Sequence, residues 1–177
     1  MDSINKNQNA HNEENLRGAA AVERIRTLVD EAETCFFCTE PGPGSLGTRP
    51  MSIRQVDDDG VLWLLSASDS HKNEEVLSNP DVKLYMQGSA HSDFLYLHGI
   101  ASISRDRAKI KELWTPIIKT WFTEGIDDPR ITVIRVEPTE GYYWDTKHGM
   151  AVAGVKMLLG AALGKTLDDS IEGRLKV

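Results

Sequence analysis

The stretch that most constrains this chain is residues 48–80, TRPMSIRQVDDDGVLWLLSASDSHKNEEVLSNP. It reads as strand, acidic turn, strand, short loop and the start of a helix. Residues 48–56 are rich in extended-chain formers, and Pro50 near their start suits a strand beginning or an edge. Asp57-Asp58-Asp59-Gly60 predicts a turn, since Asp tolerates turn geometry and Gly supplies a positive φ. Residues 61–66 form the short apolar run of a buried strand. Ser70 stands at an N-cap position ahead of His71-Lys72-Asn73-Glu74-Glu75, and Asn79-Pro80 ends the helix.

This layout gathers three kinds of phosphate ligand. Arg49 offers a planar fork and Lys72 a compact point charge. A helix beginning near Ser70 adds unpaired backbone N–H groups and the positive end of its dipole.

The remaining chain supplies strands and helices in alternation. Residues 1–15 are polar and Asn-rich and are expected to be a mobile tail. Val22, Ile25, Leu28 and Val29 recur at helical spacing within 16–32, and 34–39 reads as a strand before a Pro-Gly loop at 41–44. Further strands are expected at 82–87 and 94–104, with Gly99 a bulge or a point of close approach. Residues 106–114 and 116–122 read as helices and 125–129 as a loop. Strands at 131–136 and 141–144 follow, separated by Pro138, then a helix to about residue 163 and a polar end. These readings predict a single domain over 16–165 with a polar tail over 166–177, mainly β, its antiparallel strands forming a small barrel decorated by helices.

Several function classes are disfavoured. A net charge of −7 argues against nucleic-acid or anionic-membrane binding. The apolar run 150–163 contains Lys156 and is shorter than the roughly 20 residues a spanning helix needs, so no membrane crossing is expected. With two cysteines and no apolar leader, a reduced, cytoplasmic protein is expected. Cys35 and Cys38 have redox or metal spacing, but they lie in an extended run, where residues three apart face opposite ways. His71, His91 and His98 form no ligand set, so no metal is expected. Trp114 and Trp121, seven residues apart, would share one helix face if the helix survived Pro116, and with Trp144 they suit a core or dimer interface.

Thr48-Arg49-Pro50-Met51, Trp63-Leu64-Leu65-Ser66, Ser70-x-Lys72 and Asn79-Pro80 together resemble the FMN-binding split-barrel superfamily related to pyridoxamine 5′-phosphate oxidase. Leu113-Trp114-Thr115-Pro116, Trp121-Phe122, Asp127-Asp128-Pro129 and Tyr143-Trp144-Asp145 are similar to its general stress protein 26 branch. The likeness runs over residues 23–145, and its specificity lies in the order and spacing of the motifs.

The resemblance implies a Greek-key-like split β-barrel and a homodimer with FMN sites at the subunit interface. It implies flavin contacts from Arg49, Pro50, Met51, Ser52, Ile53 and Arg54 on one strand and from Leu65 and Ser66 at the end of the next. Ser70, His71 and Lys72 would grip the phosphate, and Trp144 would complete the site. The chain departs from the oxidases in three places. His71 stands for an Arg, and Phe94 for a Gln that approaches the flavin. The Arg-x-His that binds the vitamin B6 substrate is missing, with His148-Gly149-Met150 following Trp144 instead. The resemblance therefore implies an FMN-binding stress protein, a flavin-dependent oxidoreductase of unknown substrate rather than a true pyridoxamine 5′-phosphate oxidase. The competing readings are a non-catalytic flavin-binding or flavin-sensing protein, and a barrel that takes a deazaflavin or haem.

Overall fold

The computed structural model describes residues 12–40, 47–90, 92–147 and 169–177. The strands are β1 (Leu16–Arg17), β2 (Thr34–Cys38), β3 (Thr48–Ser52), β4 (Gln55–Val56), β5 (Leu62–Ala67), β6 (Asp81–Gln87), β7 (Phe94–Ser104), β8 (Ile131–Thr146) and β9 (Ser170–Lys176). Among the described residues three α-helices accompany them: α1 (Ala19–Ala32), α2 (His71–Ser78) and α3 (Arg107–Leu113). The expected loop at 41–44, His91 and the apolar segment 148–163 lie outside the described residues. None of the described helices is long and apolar enough to cross a membrane.

Hydrogen bonding follows the order β1-β9-β8-β7-β6-β2-β3, and every pair is antiparallel except β1 with β9. One edge of β8 pairs with β7 along its length. Its other edge takes β5 along the first half, Leu62 opposite Val136 through Ala67 opposite Ile131, and β9 along the second, from Gly141 to Thr146. The strand changes partner around Pro138, where His98 pairs with Glu140 but Gly99 pairs with Pro138. The expected break in β8 is therefore a bulge inside one continuous strand, because a proline, which has no N–H to donate, is accommodated there. Gly99 is required by close approach: a Cβ there would stand 2.5 Å from the Glu137 carbonyl oxygen.

Alternation fixes what each strand buries. Cys35 and Phe37 of β2, Val82, Leu84 and Met86 of β6, and Leu95 and Leu97 of β7 face a core completed by Ile25, Leu28 and Val29 of α1. Burying such side chains contributes about 1.5–3 kcal/mol each. Strand β5 is covered on both sides, which accounts for its continuous apolar sequence. Leu62 and Leu64 enter the main core, while Trp63, Leu65 and Ala67 pack against a second cluster built from Ile110, Leu113, Ile118, Phe122, Ile131 and Val133.

Several sequence expectations are corrected. Residues 16–32 are not all helical: Leu16 and Arg17 pair with β9, and Gly18, at φ 53°, turns the chain into α1. Residues 48–56 are two strands, because the chain crosses from β2 to β5; the Ile53 N–H donates to the Glu33 carbonyl and the Arg54 N–H to that of Trp63. The helix does not survive Pro116. Thr115 is extended, as a residue before proline prefers, and Pro116–Thr120 is a 3₁₀ turn, so Trp114 and Trp121 do not share a helix face. Trp121 is exposed. Gly125–Asp127 forms a second 3₁₀ turn within the expected loop.

Within the expected polar C-terminal tail, Ser170–Lys176 is β9, with Leu175 fully buried. Its polar side chains alternate outward, and Glu13 and Glu14, at the end of the expected N-terminal tail, run beside it; the Glu14 N–H donates to the Glu172 carbonyl.

Candidate functional site

From the acidic turn onward, residues 57–80 fold as their sequence predicts, and this places charged groups around the start of α2. Gly60, at φ 81°, closes the acidic turn, and the Asp57 carboxylate accepts from the Asp59 and Val61 N–H groups and from Trp63 Nε1. That anchors β5, which delivers Ser66 and the loop leading to Ser70. Ser70 is extended, at φ −89° and ψ 142°, and makes no side-chain cap to α2. The first-turn N–H groups are thus left without a side-chain acceptor.

On β3, neighbouring side chains point to opposite faces. Arg49 reaches toward α2, where Nη1 donates to Thr39 Oγ1 (2.8 Å) and Nη2 to Glu75 Oε2 (2.5 Å). Thr39 Oγ1 donates to the same Glu75 oxygen at 2.6 Å. Lys72, half-buried in the first turn of α2, lies near enough to feel Arg49. Burial lowers its pKa most, and the Arg49 charge adds to this; Asp69 and Glu75 oppose, and the net value falls below that of an ordinary lysine. Burial pushes the Glu75 carboxyl up, but the hydrogen bonds from Thr39 and Arg49 and the arginine charge outweigh it, holding the group below the usual carboxylate range.

Beneath these charges lies a closed polar ring. Ser66 Oγ donates to Asn73 Oδ1 (2.7 Å), Asn73 Nδ2 donates to Thr132 Oγ1 (2.9 Å), and Thr132 Oγ1 donates to the Ser66 carbonyl (2.9 Å). All three residues are buried, so the ring ties α2 to β5 and β8 and commits the Ser66 proton internally. Ser70 Oγ lies 3.3 Å from Ser66 Oγ, at the edge of this ring.

The other sequence-identified residues are dispersed. The His71 side chain is 94% exposed, 3.7 Å from Glu74. Met51 and Ile53 pack on the main core, and Leu65 on the second cluster. Arg54 Nη2 donates to Thr115 Oγ1 at 3.0 Å, and its Nε is buried without a hydrogen-bond partner. Ser52 is exposed on the same face of β3 as Pro50. Trp144 stacks at a tilt on Tyr142, with ring centroids 4.6 Å apart. Together with Pro50, Phe36, Tyr85, Phe94 and Tyr96 it lines an open cavity of about 620 Å³. Since Pro50 lines this cavity, Arg49 is turned away from it and from Trp144.

Arg49, Lys72, Ser66 and Ser70 are therefore brought together, and Trp144 is not among them. Sequence reasoning missed Thr39, Glu75 and Asn73, whose roles arise only from long-range contacts. It also missed the outward row formed by Pro50, Phe36, Tyr85, Tyr96 and Tyr142, in register across five strands. The available signal was the bulky aromatic residues at the outward positions of strands whose inward positions are apolar.

Comparisons with known proteins agree with this architecture. The model of the family described as pyridoxamine 5′-phosphate oxidase like matches residues 20–168. Protein bli-3 of Neurospora crassa is 28% identical over 109 residues, 56% of this chain and 52% of that protein. General stress protein 26 of Bacillus subtilis is 25% identical over 87 residues, 46% of this chain and 61% of that protein. The chain thus spans little more than half the length of these curated relatives. A general stress protein 26 structure from Jannaschia sp. CCS1 superposes with a TM-score of 0.73 at 20% identity, covering 88% of this chain and 97% of the other. A general stress FMN/FAD binding protein from Xanthomonas citri superposes with a TM-score of 0.57 at 20% identity, covering 67% and 82%. The fold is the split barrel with inserted helices, and the chain belongs to the pyridoxamine 5′-phosphate oxidase-like family, on its general stress protein 26 branch.

Proposed function

We propose that the chain is a cytoplasmic, homodimeric FMN-binding protein that serves as a flavin-dependent oxidoreductase on a substrate other than a vitamin B6 phosphate. The observation that carries this reading is the convergence of Lys72, Ser70 and the uncapped start of α2, with Arg49 close by but bonded to Thr39 and Glu75. These groups fit a phosphate monoester, which needs cationic donors and backbone N–H groups aimed at one point. The similar Xanthomonas citri protein, described as binding FMN or FAD, supports the choice of flavin.

In this reading Lys72, Ser70 and the first-turn N–H groups of α2 hold the phosphate, and the polar ring of Ser66, Asn73 and Thr132 keeps α2 at its station. Pro50, Met51 and Ser52 of β3, the connecting Ile53 and Arg54, and Leu65 border the ring system. FMN, when bound, supplies the hydride and electron chemistry, and the protein supplies orientation and electrostatics. Trp144 and the phosphate groups lie on opposite faces of β3, so one chain does not bring them together. The outward aromatic row, with Phe36 59% and Tyr85 47% exposed, is the kind of surface a second copy covers. In the dimer, Trp144 reaches the flavin of the partner chain.

Titration of the purified protein with FMN and with riboflavin, followed by flavin fluorescence, tests the reading. Saturable FMN binding at one flavin per chain, tighter than riboflavin binding, is expected. Failure to bind FMN removes the proposal. Oxidation of NAD(P)H by the FMN-loaded dimer tests the oxidoreductase part separately.

A further inference from the structure

Arg49 enters this site with its fork already filled. One terminal nitrogen donates to Thr39 and the other to Glu75, and the Thr39 hydroxyl closes the triangle by donating to the same Glu75 oxygen. The pair is well shielded, with the Glu75 side chain 12% exposed and that of Arg49 24%. Glu75 is held there by its place on α2, one helical turn beyond Lys72, so both project from one side of the helix. The Glu75 carboxylate and the Thr39 hydroxyl thus take the two terminal nitrogens that a phosphate would need for a bidentate contact.

The charges facing Glu75 come from every element packed around it. Arg49 extends from β3, and Lys72 and His71 from the first turn of α2; Asp69, in the loop before it, acts on Lys72. Glu75 acts on both cations, as the acceptor of Arg49 and as a charge beside Lys72, while Asp69 is shared between Lys72 and Arg130, whose Nη1 lies 3.9 Å from it. A phosphate dianion arriving here meets Lys72 and the start of α2 as its remaining attraction, and a fixed carboxylate close by.

Resting on the flavin reading above, we propose that Glu75 is the specificity-determining residue of the phosphate site. By holding Arg49 it keeps the arginine out of the phosphate contact, and so limits how strongly the protein prefers a phosphorylated flavin over an unphosphorylated one. The side chain acts as a built-in competitor for the ligand's anionic group.

The test compares FMN and riboflavin titrations of the full chain as wild type, Glu75→Gln and Glu75→Met. Both replacements are neutral and of similar size, one polar and one apolar, and a thermal melt reports folding of each. Freeing Arg49 adds one charge-assisted contact, so FMN binding is expected to tighten about tenfold or more. Riboflavin affinity is expected to stay within about twofold, because riboflavin carries no phosphate for Arg49 to reach. Unchanged or weakened FMN binding in a folded variant would overturn the inference. So would an equal gain for both flavins, since the effect would then not act on the phosphate. If the wild type binds FMN and the ratio does not move, only the role of Glu75 fails; if the wild type binds neither flavin, the flavin reading fails and this inference with it.

Discussion

Lys72→Ala is the most informative single substitution. The Arg49 fork is committed to Thr39 and Glu75, His71 points to solvent, and Ser66 donates inward to Asn73. Lys72 is therefore the main cation available to a phosphate at the start of α2. A hydrogen bond to a charged group contributes about 1.5–3 kcal/mol. Its loss should weaken FMN binding about 10- to 150-fold. Riboflavin should be held almost as before, because the lost contact is to the phosphate alone. The pH dependence follows from the lowered lysine pKa. Below that pKa the ammonium is present and the grip is complete; as pH rises through it, the charge is lost and FMN affinity falls. Because burial and Arg49 lower the value, this loss begins at lower pH than for a free lysine. Lys72→Arg, which stays charged, should retain FMN through the same range. Fluorescence titration of both flavins from neutral to alkaline pH reads all of this. Equal loss of FMN and riboflavin affinity in Lys72→Ala, or unchanged FMN affinity, would refute the reasoning.

Four further outcomes are expected. Tyr85→Asp, placed in the middle of the outward aromatic row, should convert a dimer to a monomer by light scattering and weaken FMN binding with it; a dimer that persists would count against the interface. Burial, with the nearby Cys38, raises the Cys35 thiol to about 12, so iodoacetamide should label Cys38 in the native protein and reach Cys35 only on unfolding, as read by mass spectrometry; Cys35→Ser with Cys38→Ser should leave FMN binding intact. Gly99→Ala should destabilise the fold in urea melts by about 1–3 kcal/mol, the usual range for overpacking, because the backbone it would strike has little room to retreat; an unchanged midpoint would show that the bulge relaxes.

The local part of this fold was legible because local chemistry dictates it. The acidic turn at Asp57–Gly60, the Ser70 start of α2, its stop at Asn79, and the span of β7 each follow from residues adjacent in sequence. What was not legible depends on partners far away. β9 is a polar run with a glycine inside it, and it becomes a strand only because β8 and residues 12–17 flank it. Pro138 looked like a strand break because its neighbour across the sheet, Gly99, could not be known to slip register there. In the candidate site, the cations Arg49 and Lys72 were visible as residue types. That Glu75, 26 positions from Arg49, would fill the arginine fork was not. Nor was the ring through Thr132, 59 positions from Asn73, that turns the Ser66 hydroxyl inward.

The partner change along β8 also governs how the sheet guards its own margins. Without β9, the half of β8 from Gly141 to Thr146 would present a row of unpaired backbone groups beside Tyr142 and Trp144, an edge able to recruit strands from other chains. β9 covers that edge and passes the exposure outward to β1, which at two residues is too short to template anything. At the opposite margin β3 is protected differently: Pro50 in its middle has no N–H, so the outer ladder is interrupted where an incoming strand would bind. The seven residues of β9 thus stand between an aromatic sheet and self-assembly.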